Sequence, residues 1–444
     1  MEGQAGVSKV VKASVGNVIL ASAVGSVLEW YDFALYSAAA ALVFSHLFFP
    51  KMSSVAGIMA SFGTFAAGFL FRPIGGIIFG NLGDKYGRKT VLVVTLLIMG
   101  ICTTLIGILP TYNSIGNWAP LLLILIRILQ GLGSGAEFSG ASVYAVEFAP
   151  KNRRGLWGSF TVMGVWAGIM LSTGLFSLVS RLPQAEFLSW GWRLPFLFSV
   201  VLVAVGLVIR ARIEETPDFQ GLKESKSIER IPLWAMLRNA PKEVVSVMAA
   251  TGIAAGYGYV IQAFAVFYVA KVLGFPASMA SLLYAVSAGL SIISAPLFGW
   301  MSDIIGRRRL FIITAVATAV VAFPLFWLMD TRIVGLVWLG YVIPFLVMNS
   351  NYAISPAFYS EVFAGNIRYS GFAFGREVAT AILGGTAPLI AMAMYTSSGN
   401  RIWPIALYMI VMSALTVLGG YFLPETNREG TLEARLEIGS EPPK

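Results

Sequence analysis

Twelve apolar runs divide this chain of 444 residues, and each is long enough, at about 20 residues, to cross the hydrocarbon core of a bilayer as a helix. No other feature constrains the fold as strongly. Inside lipid every backbone N–H and C=O needs an internal partner, so a chain with this many spanning runs folds as an all-α membrane bundle. The approximate spans are 16–45, 53–80, 89–110, 118–148, 157–180, 192–210, 243–271, 276–301, 309–329, 333–363, 371–396 and 402–422. Only 12% of residues are charged, about half the share in a soluble domain, which excludes a soluble enzyme with a large core. The formal net charge of +9 is not a nucleic-acid signal, because the basic residues sit in loops beside apolar runs. Cys102 is the single cysteine, so no intramolecular disulfide or cysteine metal cluster is possible, and neither metal nor cofactor is expected. The first run is too long for a cleavable signal and continues into Glu29-Trp30-Tyr31-Asp32.

A glycine-rich charged turn, Gly80-Asn81-Leu82-Gly83-Asp84-Lys85-Tyr86-Gly87-Arg88-Lys89, returns as Gly299-Trp300-Met301-Ser302-Asp303-Ile304-Ile305-Gly306-Arg307-Arg308, 219 residues later. A repeat at half-length implies two similar halves. Weaker echoes agree: Glu147-Phe148-Ala149-Pro150 with Glu361-Val362-Phe363-Ala364, and Glu215-Thr216-Pro217 with Pro424-Glu425-Thr426. The division is residues 1–210, a six-helix bundle; 211–242, a solvated charged linker; and 243–444, a second bundle with a short tail. Lys and Arg number 22 in the two tails and the loops after even-numbered spans, against five after odd-numbered spans. Both termini, both repeated turns and the linker are therefore expected on the cytoplasmic side of an inner membrane. At that surface the repeated turns are expected to gate, through Gly80, Asp84, Gly87, Arg88, Arg153, Asp303 and Arg307.

Charge inside a bilayer is costly, so each buried ion is a functional candidate. Glu29 and Asp32 share a face of the first span; Arg127, Gln130 and Glu137 share one on the fourth. Tyr257, Tyr259 and Gln262 lie in the seventh span, and Asn349, Ser350, Asn351 and Tyr352 in the tenth. Polar clusters in spans one, four, seven and ten suggest four helices around one aqueous path, with Arg72 and Arg376-Glu377 lining it from the cytoplasmic side. Plainer readings stand beside these. Glu29 neutralises Arg72; Asp32 and Arg127 form a static pair; Glu137 glues helices; Arg376-Glu377 snorkel; Asn349 to Tyr352 bond between helices. Gly83 to Thr90 imitates a phosphate-binding loop with the wrong spacing. Gly131-Leu132-Gly133-Ser134-Gly135-Ala136 imitates a dinucleotide turn but lies mid-helix, as a small-residue packing face.

The twelve spans, the two halves and the Gly-x-x-x-Asp-x-x-Gly-Arg-Lys turn resemble the major facilitator superfamily. Glu29-Trp30-Tyr31-Asp32-Phe33, Arg72-Pro73-Ile74-Gly75-Gly76, Arg127-Ile128-Leu129-Gln130-Gly131 through Glu137, and Trp190-Gly191-Trp192-Arg193-Leu194-Pro195-Phe196 are similar to its metabolite:proton symporters. Where Arg376-Glu377 stand, that family commonly has an uncharged pair led by Tyr. The resemblance implies a twelve-helix, two-bundle fold and import of a carboxylate or a zwitterion with protons; no enzyme activity is expected. The reading is a proton-coupled importer of a small organic carboxylate, a monomer whose partners are substrate, protons and the bilayer. Arg127 is the expected anion site, because a guanidinium grips a carboxylate in a two-pronged fork. Gln130, Tyr31, Arg72, Tyr257, Gln262, Asn349, Asn351, Tyr352 and Arg376 complete the expected substrate path. Asp32, with Glu29 and Glu137 behind it, is expected to carry the proton. The same acids would suit a zwitterion of the proline or betaine type. A metabolite exporter is disfavoured by the absence of proline between Ser159 and Ser180, and a sensor by the lack of a long signalling tail.

Overall fold

The computed structural model describes residues 15–427 apart from 213, 226 and 230; the first 14 residues, the linker charges Lys226 and Arg230 and the tail beyond 427 lie outside the described residues. Among the described residues the chain is helical, without strands, and twelve helices can cross a membrane. They are α1 (Gly16–Ala39), α2 (Met59–Tyr86), α3 (Arg88–Ile108), α4 (Trp118–Phe148), α5 (Lys151–Val179), α6 (Gln184–Ala211), α7 (Pro241–Val272), α8 (Ser278–Ile305), α9 (Arg307–Asp330), α10 (Val334–Val362), α11 (Arg368–Ser397) and α12 (Trp403–Phe422). The two sets of six form two halves. Across the divide, α5 packs against α8 and α2 against α11.

The repeated ten-residue turn is mostly helix. α2 continues through Asp84 to Tyr86 and α8 through Asp303 to Ile305. The turn proper is one glycine, Gly87 at φ +108° and Gly306 at φ +107°, a conformation that a Cβ makes costly. Charges that looked like loop residues are paired at these helix ends: Asp84 and Arg88 are buried together, and buried Arg307 meets Asp303. Glycine in the middle of α4 has another use. A Cβ on Gly131 would stand 2.1 Å from the Gly68 carbonyl oxygen, so α2 and α4 touch backbone to backbone there.

Two further departures bear on the site. α7 carries three π-helical stretches, Ile253–Tyr257, Val260–Ala265 and Tyr268–Val272, where the wider turn rotates side chains off the α-helical register. Within the linker expected to be solvated, two short helices form, Pro217–Glu224 and Pro232–Asn239, with Gln220 and Lys223 exposed. Phe219 of the first is buried, with its ring under the Arg88 guanidinium at 5.1 Å.

Candidate functional site

At the end that carries the repeated turns, the halves are latched in a quasi-symmetric way. Asp84 of α2 accepts from the backbone N–H of Tyr369 (3.2 Å) and Ser370 (2.8 Å), in the first turn of α11. Asp303 of α8 accepts from Gly155 (2.8 Å) and Leu156 (2.9 Å), in the first turn of α5. Each carboxylate satisfies orphan donors and meets the positive end of a helix in the opposite half. Gly80 lets α11 approach, since a Cβ there would lie 3.1 Å from the Ser370 Cα. The bases repeat the pattern. Arg88 meets Glu147 at 3.3 Å and crosses to the Gly365 carbonyl at 2.7 Å; Arg307 meets Glu361 at 3.2 Å. Glu215 accepts from the Arg88 N–H and Glu425 from the Arg307 N–H, which gives the proline-flanked echoes a structural role. Arg368 of α11 joins Glu147 (2.8 Å) to Asp218 of the first linker helix (2.5 Å). Burial would raise the Asp218 carboxyl, but Arg368, with Arg154 and Arg88 behind it, outweighs burial and holds it below its ordinary value. Arg153 is exposed and outside these contacts.

Midway along the bundle lie two buried ionic clusters. In the first, Arg72 of α2 bonds Glu29 of α1 at 2.6 Å and Glu377 of α11 at 2.7 Å, and Glu377 also pairs with Arg376. This cluster bridges the halves. In the second, Arg127 of α4 meets Asp32 at 3.2 Å, and Asp32 accepts from Gln130 (2.9 Å) and Thr103 (2.8 Å), all within the first half. The Phe33 ring stands between the clusters, 4.9 Å from the Arg72 guanidinium carbon and 4.6 Å from that of Arg127. Tyr36 and Phe65 complete an aromatic box around Arg127, whose Nε and Nη2 have no hydrogen-bond partner among the described residues.

A cavity opens against the first cluster, between the halves. Trp30, Trp166, Tyr259, Gln262, Tyr352 and Arg376 supply its polar and aromatic lining. Arg376 lies over the Phe138 ring at 4.1 Å, and Tyr352 stacks on the same ring with centroids 5.5 Å apart. The arrangement brings one guanidinium, an amide and phenols together among indole faces.

The expected residues are thus divided. Gln262, Tyr352 and Arg376 line the cavity; Glu29 and Arg72 lie in the cluster behind it. Arg376, expected near the start of its span, sits two turns into α11 and is buried. Arg127 and Gln130 meet Asp32 but not the cavity lining. Glu137 is apart from Arg127: it pairs with Arg210 of α6 and accepts from Thr95 of α3. Tyr31 donates to the Pro195 carbonyl at 2.6 Å and ties α1 to α6. Asn349 accepts from Trp166 (2.7 Å) and donates to Ser294 (3.0 Å), joining α5, α8 and α10. Asn351 donates to the Phe311 carbonyl of α9, and Tyr257 is buried with its hydroxyl unpartnered among the described residues. Sequence reasoning did not assign Trp30 or Trp166 to the site, and it placed Glu377 only with Arg376 on the cytoplasmic side of the path. The one available signal for Trp30 was its place between Glu29 and Asp32.

A profile of the Major Facilitator Superfamily matches residues 22–376. The shikimate transporter of Escherichia coli (strain K12) is 38% identical, over 94% of this chain and 96% of that protein. The proline/betaine transporter of the same strain is 32% identical, over 92% of this chain and 83% of that protein. Among solved structures, the proton:xylose symporter XylE bound to 6-bromo-6-deoxy-D-glucose superposes with a TM-score of 0.76 over 96% of this chain and 99% of that one, at 18% identity, a likeness of fold.

Proposed function

The chain belongs to the major facilitator superfamily and is a multi-pass membrane transporter, not an enzyme; from that premise we propose that it imports a small organic carboxylate by proton symport through alternating access. One observation carries the reading: the Arg376 guanidinium stands at the wall of the cavity between the halves. Guanidinium binds carboxylate through paired, charge-assisted hydrogen bonds. Gln262 and Tyr352 offer further donors, and Trp30, Trp166 and Tyr259 offer flat apolar faces for a carbon ring. Shikimate, the substrate named for the 38% identical relative, combines a carboxylate with a hydroxylated ring and suits such walls. The anion is assigned to Arg376 in preference to Arg127, which is boxed by aromatic rings away from the cavity lining.

Coupling follows from charge. Glu29, Arg72, Arg376 and Glu377 sum to zero formal charge when all are ionised. A substrate carboxylate adds one negative charge and draws Arg376 away from Glu377. A carboxylate deprived of its cation in a low-dielectric interior takes up a proton, which restores neutrality. The proton is assigned to Glu377 or to Glu29, which share Arg72; Asp32 with Arg127 is the next station, one aromatic ring away. The excess of Lys and Arg at the latched end supports a cytoplasmic position for that end. The latched arrangement is then the state closed to the cytoplasm of an inner-membrane monomer.

The aromatic lining favours a second reading, a zwitterion such as proline or betaine, whose cationic group would sit on indole faces; the 32% identical relative is named for such substrates. Uptake by proteoliposomes under an imposed pH difference separates the two. Shikimate-class carboxylates should accumulate and Arg376→Ala should abolish this, with Arg376→Lys restoring it poorly. Accumulation of glycine betaine alone, indifferent to Arg376, would establish the second reading in place of the first.

A further inference from the structure

The second linker helix, Pro232–Asn239, has two unlike sides. Pro232, Ala235 and Met236 are buried against the bundle, and the Leu233 N–H donates to Asn81 of α2 at 3.3 Å. On the other side stand Ile231, Trp234 and Leu237, 54, 65 and 40% exposed, with Arg238 exposed beside them. Spacing by three puts these apolar residues on one face. In water such a face would be a liability on so short a helix.

Its depth is set by its neighbours. Ala240 alone separates Asn239 from Pro241, the first residue of the spanning helix α7. Lys242 lies over the Phe422 ring at 5.8 Å. Phe422 and Tyr421, both more than half exposed, end α12, and aromatic residues at span ends mark the headgroup level. The apolar face resumes beyond the corner at Val245, 64% exposed on α7, where the surroundings of a spanning helix are lipid. The acidic residue of this corner, Glu243, is half-buried and engaged within the protein. The outward charge of the segment is therefore Arg238 and Lys242.

We infer that Pro232–Asn239 is an interfacial anchor: Ile231, Trp234 and Leu237 enter the headgroup layer, and Arg238 and Lys242 meet the phosphates of anionic lipids. Buried apolar area and attraction to anionic headgroups both hold such a helix in the plane of the interface. Asn81, which accepts from the helix, precedes Asp84 by one turn of α2, so the anchor is joined directly to the latch.

The test uses the full chain in nanodiscs of phosphatidylcholine, with or without phosphatidylglycerol. Nitroxide labels are placed at Trp234→Cys and, separately, at Leu237→Cys; Gly221→Cys, in the exposed first linker helix, is the reference. Collision with oxygen should dominate at 234 and 237, and collision with a water-soluble nickel chelate at 221. Phosphatidylglycerol should deepen the first two labels. Arg238→Gln and Lys242→Gln should each raise the phosphatidylglycerol needed for half of that effect by about fivefold, the worth of one cation at an anionic surface. Nickel access at both 234 and 237 equal to that at 221 would overturn the anchor. Deep labels indifferent to phosphatidylglycerol and to both cations would overturn the anionic-headgroup assignment.

Discussion

Phe33 divides the buried charge of α1 into two clusters that differ in which halves they join. On one side Arg72 holds acids from both halves; on the other Arg127, Asp32, Gln130 and Thr103 all belong to the first. Each guanidinium also gains from the ring face, by about 2 kcal/mol when desolvated. Arg376 lies at the cavity and pairs with Glu377, so in the proposed reading it is the residue through which substrate charge is felt. Arg376→Ala should weaken a monocarboxylate by about 10- to 100-fold for the loss of a charge-assisted bond, and its uncharged amide analogue far less. Competition uptake with the matched acid and amide checks this; equal losses would leave Arg376 a positioning role. Glu29, Asp32, Arg72 and Arg127 were legible in the sequence because a charge within an apolar run has few innocent explanations. The partner of Glu137 was not. Arg210 ends the sixth run, where a basic residue reads as topology, and helical spacing within α4 says nothing about which neighbouring helix each residue faces. Trp30 was illegible because an indole in a spanning run looks the same whether it meets lipid or a cavity.

At the scale of elements, the latch joins helix ends of one half to carboxylates of the other, and the repeat at 219 residues made both carboxylates legible. Asp84→Asn keeps the size but loses the charge. It should weaken the latch by about 0.5–2 kcal/mol, the usual worth of a helix cap, and shift the population toward opening at that end. Spin-label distances between the ends of α2 and α11 read the shift directly; unchanged distances would remove Asp84 from gating. Tyr369 adds a lock that no pattern announced. Its buried side chain fills a slot left by two glycines of the first half, Gly83 and Gly140, where a Cβ would meet the ring at 2.0 Å and the hydroxyl oxygen at 2.1 Å, and that hydroxyl donates to the Ala136 carbonyl at 2.9 Å. Gly140→Val should expel the ring and favour opening, and pairing it with Tyr369→Ala should reverse part of the effect; a double variant no different from Gly140→Val would show that the slot does not hold the halves. The first linker helix contributes through Asp218, whose carboxyl is held below its ordinary value in the latched state. A depressed carboxyl stabilises the state that depresses it at neutral pH, and that contribution is lost as pH falls through the depressed value. The same labels should therefore separate on acidification, and Asp218→Asn should show a smaller acid step from a weaker starting latch. An identical acid step in both would assign it to another group. The linker helices themselves were hidden, since a stretch rich in Glu, Lys and Arg reads as solvated until the buried Phe219 and the paired Asp218 are seen.

For the whole molecule, the proposed alternating access requires α11 to carry Glu377 away from Arg72, because that pair joins the two halves near the middle of the bundle. Separating a buried pair without replacement costs about 3–5 kcal/mol, enough to make the return of the empty transporter the slow step. In the proposed cycle substrate and proton together remove the obstacle: the substrate anion engages Arg376, and a protonated Glu377 no longer needs Arg72. Both the empty cluster and the loaded one are then neutral, while a cluster holding substrate without a proton carries one uncompensated charge and should not cross. For a monocarboxylate this predicts electroneutral symport, with uptake driven by a pH difference and indifferent to an imposed membrane potential. Glu377→Gln changes both properties. The empty cluster then carries one positive charge and the substrate anion alone neutralises it, so loaded carriers exchange substrate without protons. Accumulation driven by pH should disappear, counterflow of labelled substrate should persist, and net uptake should become sensitive to potential because the empty carrier returns charged. Asp32→Asn is the necessary comparison. Its cluster lies within one half and does not break when the halves rock, so it should slow proton delivery while leaving accumulation measurable. A Glu377→Gln protein that still concentrates substrate under a pH difference, beside an Asp32→Asn protein that does not, would move the coupled proton from the cluster that bridges the halves to the Asp32–Arg127 pair behind Phe33.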